Sequence, residues 1–316
     1  MSDRIALSTQ KPERQLYLAV PSFTMENLRK YDQAIRQIYP DLIINKTELI
    51  SHGQNNIVLN INDESIFRFP KYEEDLQSLK REVTLLTLIQ GKVSLAIPCP
   101  RFTYLEEQQR ALMGYPMLVG HPLWKEILTS TSRITQANLA RQLGDFLKTL
   151  HQIPSISEFS DHLPRADTVS QLVNVFQRVR IQLIPRMRPD AQVWAINHFE
   201  TFLSQPEHFS HTPVLKHGDF GASNILFDQT TKSISGIIDF GNASLGDPAY
   251  DFAGLLSSYG ENFVRQVGND YPNFDELWPR IRFYQGTFAL LEALFGLENS
   301  DINAYESGIA EYLAMN

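Results

Sequence analysis

The sequence predicts an α+β protein of two lobes: a β-rich N-terminal lobe over residues 1–119 and a mainly helical C-terminal lobe over residues 120–316. Three observations carry this. Runs of β-branched and aromatic residues, broken by turn residues, crowd residues 42–69. Helical periodicity dominates after Gly120. A chain of 316 residues, at roughly 150 residues per domain, makes two units.

Leu28, Tyr31, Ile35 and Ile38 recur at helical spacing behind Thr24, a residue type that caps helix N-termini, and Pro40 stops the run. Leu42-Ile43-Ile44, Glu48-Leu49-Ile50, residues 57–61 and residues 65–69 then read as strands. Asn62-Asp63-Glu64 is a hairpin connection, which makes the segment an antiparallel meander. A helix over 73–90 places Leu76, Leu79, Val83 and Leu86 on one face and ends at Gly91. Pro98 and Pro100 enforce extended chain, and residues 102–105 and 111–119 form a further strand pair across the polar turn 106–110. Helical patterns then cover 135–151, 169–184, 191–203 and about 274 to the end.

Hydrophobic residues make up 43% and charged residues 20%, with 16 Gly and 17 Pro, a composition that excludes a mainly disordered chain. The 28 Lys and Arg against 36 Asp and Glu give a net charge of -8, the wrong sign for a nucleic-acid partner. Cys99 is the only cysteine, which excludes an intramolecular disulfide and a cysteine-based zinc site and suits a reducing compartment. Residues 1–13 are polar, and the longest apolar stretches, such as 288–297, are interrupted by Glu292. The expectation is a cytoplasmic protein with neither leader nor membrane span.

The chemistry concentrates between residues 214 and 256. Val214-Leu215-Lys216-His217-Gly218-Asp219-Phe220-Gly221-Ala222-Ser223-Asn224 and Gly236-Ile237-Ile238-Asp239-Phe240-Gly241 each carry an apolar strand that delivers an Asp into a turn. Asn224 lies five residues beyond Asp219, and Asp239 lies twenty beyond it. Phosphoryl transfer needs a carboxylate to orient or accept the proton of the attacking hydroxyl. It also needs oxygen ligands for the Mg²⁺ that bridges the nucleotide phosphates. Protein-kinase-like enzymes supply these as an Asp, an Asn five residues later and the Asp of a downstream Asp-Phe-Gly. His-Gly-Asp alone is a common turn, and Asp-Phe-Gly alone occurs by chance. The two together at this spacing, each after an apolar strand, indicate a catalytic base at Asp219 and metal ligands at Asn224 and Asp239.

The segment resembles the aminoglycoside phosphotransferase and choline kinase superfamily, in which Gly replaces the catalytic-loop Arg of protein kinases, as in His217-Gly218-Asp219. Residues 245–253, Leu-Gly-Asp-Pro-Ala-Tyr-Asp-Phe-Ala, resemble the next block of that superfamily. Among its branches the aminoglycoside 2″-phosphotransferases look most similar, on Asp219-Phe220-Gly221 and the layout of the N-terminal lobe. The likeness runs from about Ile44 to the C-terminus. It implies a bilobal protein-kinase-like fold and a small-molecule kinase that uses Mg²⁺ and ATP or GTP.

The resemblance also implies a phosphate-covering loop at residues 51–56. Here that loop holds a single glycine, so Gly53, Gln54, Asn55 and Asn56 are either phosphate-binding or an ordinary hairpin turn. Where kinases place a Lys on the third strand, this chain has Arg68, which alternation turns away from Phe67 and Phe69. Its expected partner is Glu82, a charge set among Leu79, Val83 and Leu86, with Lys71 as the fallback cation. Residues 113–119 would be the hinge, with Tyr115 and Met117 at the purine. His217 is expected to hydrogen bond structurally, and Asp251 to accept from the catalytic-loop backbone, to cap a helix, or to do both. Trp124, Trp194 and Trp278 are expected to be packing residues. From Phe283 onward there are five acidic residues and no Lys or Arg. Such a face either attracts a cationic, hydroxylated acceptor such as an aminoglycoside or is an ordinary solvated surface. Acceptors of a metabolic kinase (an amino alcohol, amino acid or sugar) and a non-catalytic nucleotide-binding role remain the alternatives.

Overall fold

The computed structural model describes residues 25–52, 56–71, 73–106, 110–153 and 163–313. Helix α1 (Met25–Ile38) leads into a five-stranded antiparallel sheet formed by β1 (Thr47–His52), β2 (Asn56–Ile61), β3 (Ser65–Pro70), β4 (Phe102–Tyr104) and β5 (Leu112–Pro116), in the order β1-β2-β3-β5-β4. Helix α2 (Glu73–Ile89) connects β3 to the second hairpin. Asn62 and Asp63 both take positive φ, +58° and +57°, in the β2–β3 connection, which residues with short polar side chains tolerate best.

The pleat sorts the two faces of β3. Phe67 and Phe69 join Ile57, Leu59 and Leu112 in a buried cluster that also takes Ile35 of α1, while Ile66 belongs to the main core with Leu79 and Leu86 of α2. Arg68 is thereby turned toward α2. Leu42-Ile43-Ile44 forms no strand, contrary to expectation, and Ile43 is 73% exposed. The Asn62 side chain replaces a ladder there: its Oδ1 accepts from the N–H groups of Asn45 and Lys46, and its Nδ2 donates to the Ile43 carbonyl. The Thr24 cap, Gly53, Gln54 and Asn55 lie outside the described residues.

After β6 (His121–Pro122) come α3 (Lys125–Ser130), α4 (Arg133–His151), α5 (Val169–Arg178) and α6 (Pro189–Leu203). Ser132 caps α4, and a Thr168/Gln171 capping box starts α5. Strands β7 (Val214–Lys216), β8 (Ile225–Asp228), β9 (Ser233–Ile237) and β10 (Ser244–Gly246) form two small antiparallel sheets, β10-β7 and β6-β8-β9. The chain ends in α7 (Ala249–Tyr259), α8 (Glu261–Val267), α9 (Phe274–Asn299) and α10 (Ile302–Ile309). The expected single C-terminal helix breaks at Ser300, which takes φ +58°. Asp301 then caps α10 through Ala304 N. No helix among the described residues is long and apolar enough to cross a membrane.

Candidate active site

A cleft of about 530 Å³ lies where β2, β3, α2 and β5 meet the turns that follow β7 and β9. Asn56, Arg68, Glu82, Tyr115, Asp219, Asn224 and Asp239 all line it. Two strand ends deliver its carboxylates. β7 ends at Lys216, and the His217-Gly218-Asp219 turn follows. Gly218 takes φ +81°, and an added Cβ would collide with the Asn242 carbonyl oxygen, so only glycine lets the two turns approach. Asp251, in the first turn of α7, accepts from His217 N at 2.8 Å and Gly218 N at 2.9 Å. His217 Nε2 lies 3.0 Å from the Ile238 carbonyl, and its Nδ1 accepts from Asp219 N at 3.2 Å. These two bonds make Asp251 the acceptor for the catalytic-loop backbone. Burial would raise the Asp251 pKa, but the hydrogen bond from His151, the nearby His217 and the loop N–H groups outweigh it and hold the carboxyl below its usual value.

Asn224 Nδ2 donates to both the Asp219 carbonyl and Asp219 Oδ2, each at 2.9 Å. This fixes the carboxylate and leaves the amide Oδ1 to accept from or ligate something else. Burial pushes the Asp219 carboxyl up, against the lowering effects of His217 and Asn224. Asp239 sits after β9 at φ +66°, a strained conformation for a residue with a side chain, of the kind that accumulates at functional sites.

The Arg68 guanidinium joins both lobes. Its Nη1 donates to Glu82 Oε1 at 2.6 Å and its Nη2 to Asp239 Oδ1 at 3.1 Å. Burial alone would lower the Arg68 pKa, but Glu82 and Asp239 outweigh it and hold the group firmly protonated. Burial pushes the Tyr115 hydroxyl up to about 12, against the lowering effect of the nearby Arg68 charge. Lys71, the fallback cation, follows the end of β3 and does not line the cleft. Met117 is also absent from the lining, and its N–H donates to the Glu64 carbonyl at 2.8 Å, extending the β3–β5 ladder. The Asp and Asn oxygens in the cleft are hard donors of the kind Mg²⁺ takes, and among the described residues neither His nor Cys lines it.

Sequence reasoning missed two parts of this arrangement. Ser258 Oγ accepts from Ala222 N at 3.0 Å and anchors the loop, and the Arg68–Asp239 contact joins residues 171 positions apart. No local pattern announces either. Trp124 is 49% exposed rather than packed, whereas Trp194, though partly exposed, stacks on His198 at 4.9 Å between ring centroids. Trp278 is overlain by Arg265 at 4.1 Å from its ring centroid. Of the C-terminal acids, Glu298 pairs with Arg178, and Asp301 is spent as a cap.

The profile of the phosphotransferase enzyme family matches residues 46–284. The viomycin phosphotransferase of Streptomyces vinaceus is 30% identical over 199 residues, 61% of this chain and 66% of that protein. An aminoglycoside 3′-phosphotransferase of Salmonella typhimurium is 27% identical over 150 residues, 44% of this chain and 53% of that protein. The matches thus span about two thirds and about half of these relatives. Among solved structures, the GDP and kanamycin complex of the aminoglycoside 2″-phosphotransferase IIIa superposes with a TM-score of 0.83 at 26% identity, covering 89% of this chain and 96% of that one. Asp219, Asn224 and Asp239 fall within the matched residues, and the chain belongs to the phosphotransferase enzyme family.

Proposed function

We propose that the chain is a small-molecule kinase that transfers the γ-phosphoryl group of ATP or GTP to a hydroxyl of a cationic antibiotic of the aminoglycoside or viomycin type. The observation that supports this best is the Asp219 carboxylate, held by Asn224 in the same cleft as Asp239 and the Arg68–Glu82 pair. The names of the relatives supply the acceptor class.

Asp219 takes the proton of the acceptor hydroxyl as that oxygen attacks the γ-phosphorus. The bond to the bridging oxygen breaks, and the nucleoside diphosphate leaves with the electron pair. A raised pKa makes Asp219 a stronger base than an exposed aspartate. Arg68, anchored by Glu82, presents fixed positive charge to the nucleotide phosphates. Asn56 and the loop residues Gly53, Gln54 and Asn55 would cover the phosphates, with Tyr115 and Met117 toward the base. Asn224 and Asp239 would hold Mg²⁺, which when bound neutralises phosphate charge. Residues 1–119 and 120–316 act as the nucleotide lobe and the acceptor lobe. Nucleoside triphosphate supply puts the reaction in the cytoplasm.

The test is a coupled assay of nucleotide consumption across aminoglycosides, viomycin, amino alcohols and sugars. Acceptor-dependent turnover with a cationic antibiotic, lost in Asp219→Ala, is expected. Turnover only with a sugar or amino alcohol would replace the acceptor class, and none with any acceptor would overturn the kinase reading.

A further inference from the structure

Lys216 ends β7 directly before the catalytic turn, yet it is only 3% exposed. An ammonium group at that depth needs a partner. Its Nζ lies 2.8 Å from Asp167 Oδ2 and 3.4 Å from the centroid of the Tyr250 ring, an ion pair and a cation–π contact on one head group. Asp167 belongs to the stretch that leads into α5. There Ala166 N donates to the Leu245 carbonyl at 2.8 Å and Leu245 N to the Pro164 carbonyl at 2.9 Å, so Arg165 forms a single parallel bridge to Leu245 of β10.

Three features converge on this carboxylate. Asp167 is held at φ +60°. Its Oδ2 also accepts from Asp247 N at 3.1 Å. An added Cβ at Gly246 would collide with that same Oδ2, so glycine leaves the space the carboxylate fills. Asp247 in turn receives Arg280 Nε of α9 at 2.7 Å and the Tyr284 hydroxyl at 3.2 Å. The catalytic strand, the start of α5 and α9 are therefore tied through one buried polar chain. Tyr250, beneath the ammonium, packs against Tyr284 and Phe288, each at 5.3 Å between ring centroids. Burial pushes the Tyr250 hydroxyl up, and the charges of Asp167, Asp219 and Asp251 add to this.

Neither Lys216, Asp167 nor Tyr250 lines the nucleotide cleft. We propose that the Lys216–Asp167 pair positions the acceptor side of the site. It fixes the start of α5 and the Tyr250 ring relative to Asp219, and so sets where the acceptor hydroxyl meets the base. This rests on the kinase reading above. Both residues are positioning residues and touch neither nucleotide nor metal.

The double variant Lys216→Met/Asp167→Asn removes both charges together, so no charge is left buried and unpaired. Acceptor kcat/KM should fall about tenfold or more, because a reacting group displaced from its attack geometry loses rate. The nucleotide KM and acceptor-independent nucleotide hydrolysis should stay within about twofold of wild type. Should the double variant not fold, Tyr250→Leu keeps the ion pair and removes only the ring beneath the ammonium, and it reads the same split between acceptor kcat/KM and nucleotide KM. An unchanged acceptor kcat/KM in a folded variant, or a nucleotide KM that worsens as much as acceptor kcat/KM falls, overturns the positioning role alone. A wild-type chain that turns over no acceptor overturns the kinase reading, and the acceptor role with it.

Discussion

Arg68→Met separates the structural from the functional share of the cation at the centre of the cleft. The guanidinium faces two carboxylates in different surroundings: Glu82 is 3% exposed, whereas the Asp239 side chain is 49% exposed. Removing one partner of a buried ion pair costs about 3–5 kcal/mol, because the other charge is stranded. The half-exposed contact with Asp239 adds only about 0–1 kcal/mol. Nearly all the loss therefore belongs to Glu82, and replacing it as well should recover most of the stability, since a well-packed apolar pair is neutral or better than a buried ionic one. Arg68→Met should lower the urea midpoint sharply, and Arg68→Met/Glu82→Leu should return it close to wild type. Calorimetric titration with Mg-nucleotide should find both variants weakened, because the phosphate contact is lost in each. A wild-type midpoint for Arg68→Met would mean that Glu82 does not depend on Arg68. Wild-type nucleotide affinity in the double variant would move the phosphate contact to another cation, with Lys71 the first to test.

Asp219→Ala should cut turnover by about 10²–10⁴-fold, the usual loss for a general base, with nucleotide affinity nearly unchanged in a binding titration. Asp239→Asn should weaken Mg-dependent nucleotide binding, and an unchanged calorimetric affinity would remove Asp239 from the ligand set. Gly218→Ala should lower both the melting temperature and kcat, since a side chain at φ +81° also strikes the Asn242 carbonyl. The pH profile of kcat/KM has a determined sign. The deprotonated Asp219 is the active form and burial raises its pKa, so activity should climb with pH through a midpoint above that of an ordinary aspartate. An acid limb at or below the ordinary aspartate value would show that another group titrates.

What the sequence discloses about this site follows sequence distance. Asp219 and Asn224 are five residues apart and meet at 2.9 Å, so one motif contains the whole interaction. Arg68 and Glu82 are also legible, one through strand alternation and the other as a charge among apolar helix positions, because burial forces a charge to find its opposite. The contacts that close the site join distant segments, and no periodicity encodes them: Arg68 to Asp239, Gly218 to Asn242, Lys216 to Asp167. Leu42-Ile43-Ile44 has strand composition but no free ladder, since the Asn62 side chain takes its backbone partners. At the hinge the Met117 N–H donates to the Glu64 carbonyl and extends the sheet, a pairing across more than fifty residues that no periodicity encodes. The departure from the usual lysine at position 68 has a geometric rationale. The two terminal nitrogens of a guanidinium diverge, and here one is spent on Glu82 and the other on Asp239. An ammonium is a single point charge and would hold the helix carboxylate while giving up the fork to Asp239. Arg68→Lys should therefore keep most of the stability that Arg68→Met loses and still bind Mg-nucleotide less well than wild type. Equal affinity for Lys and Arg at this position would show that the second arm of the fork contributes nothing to binding.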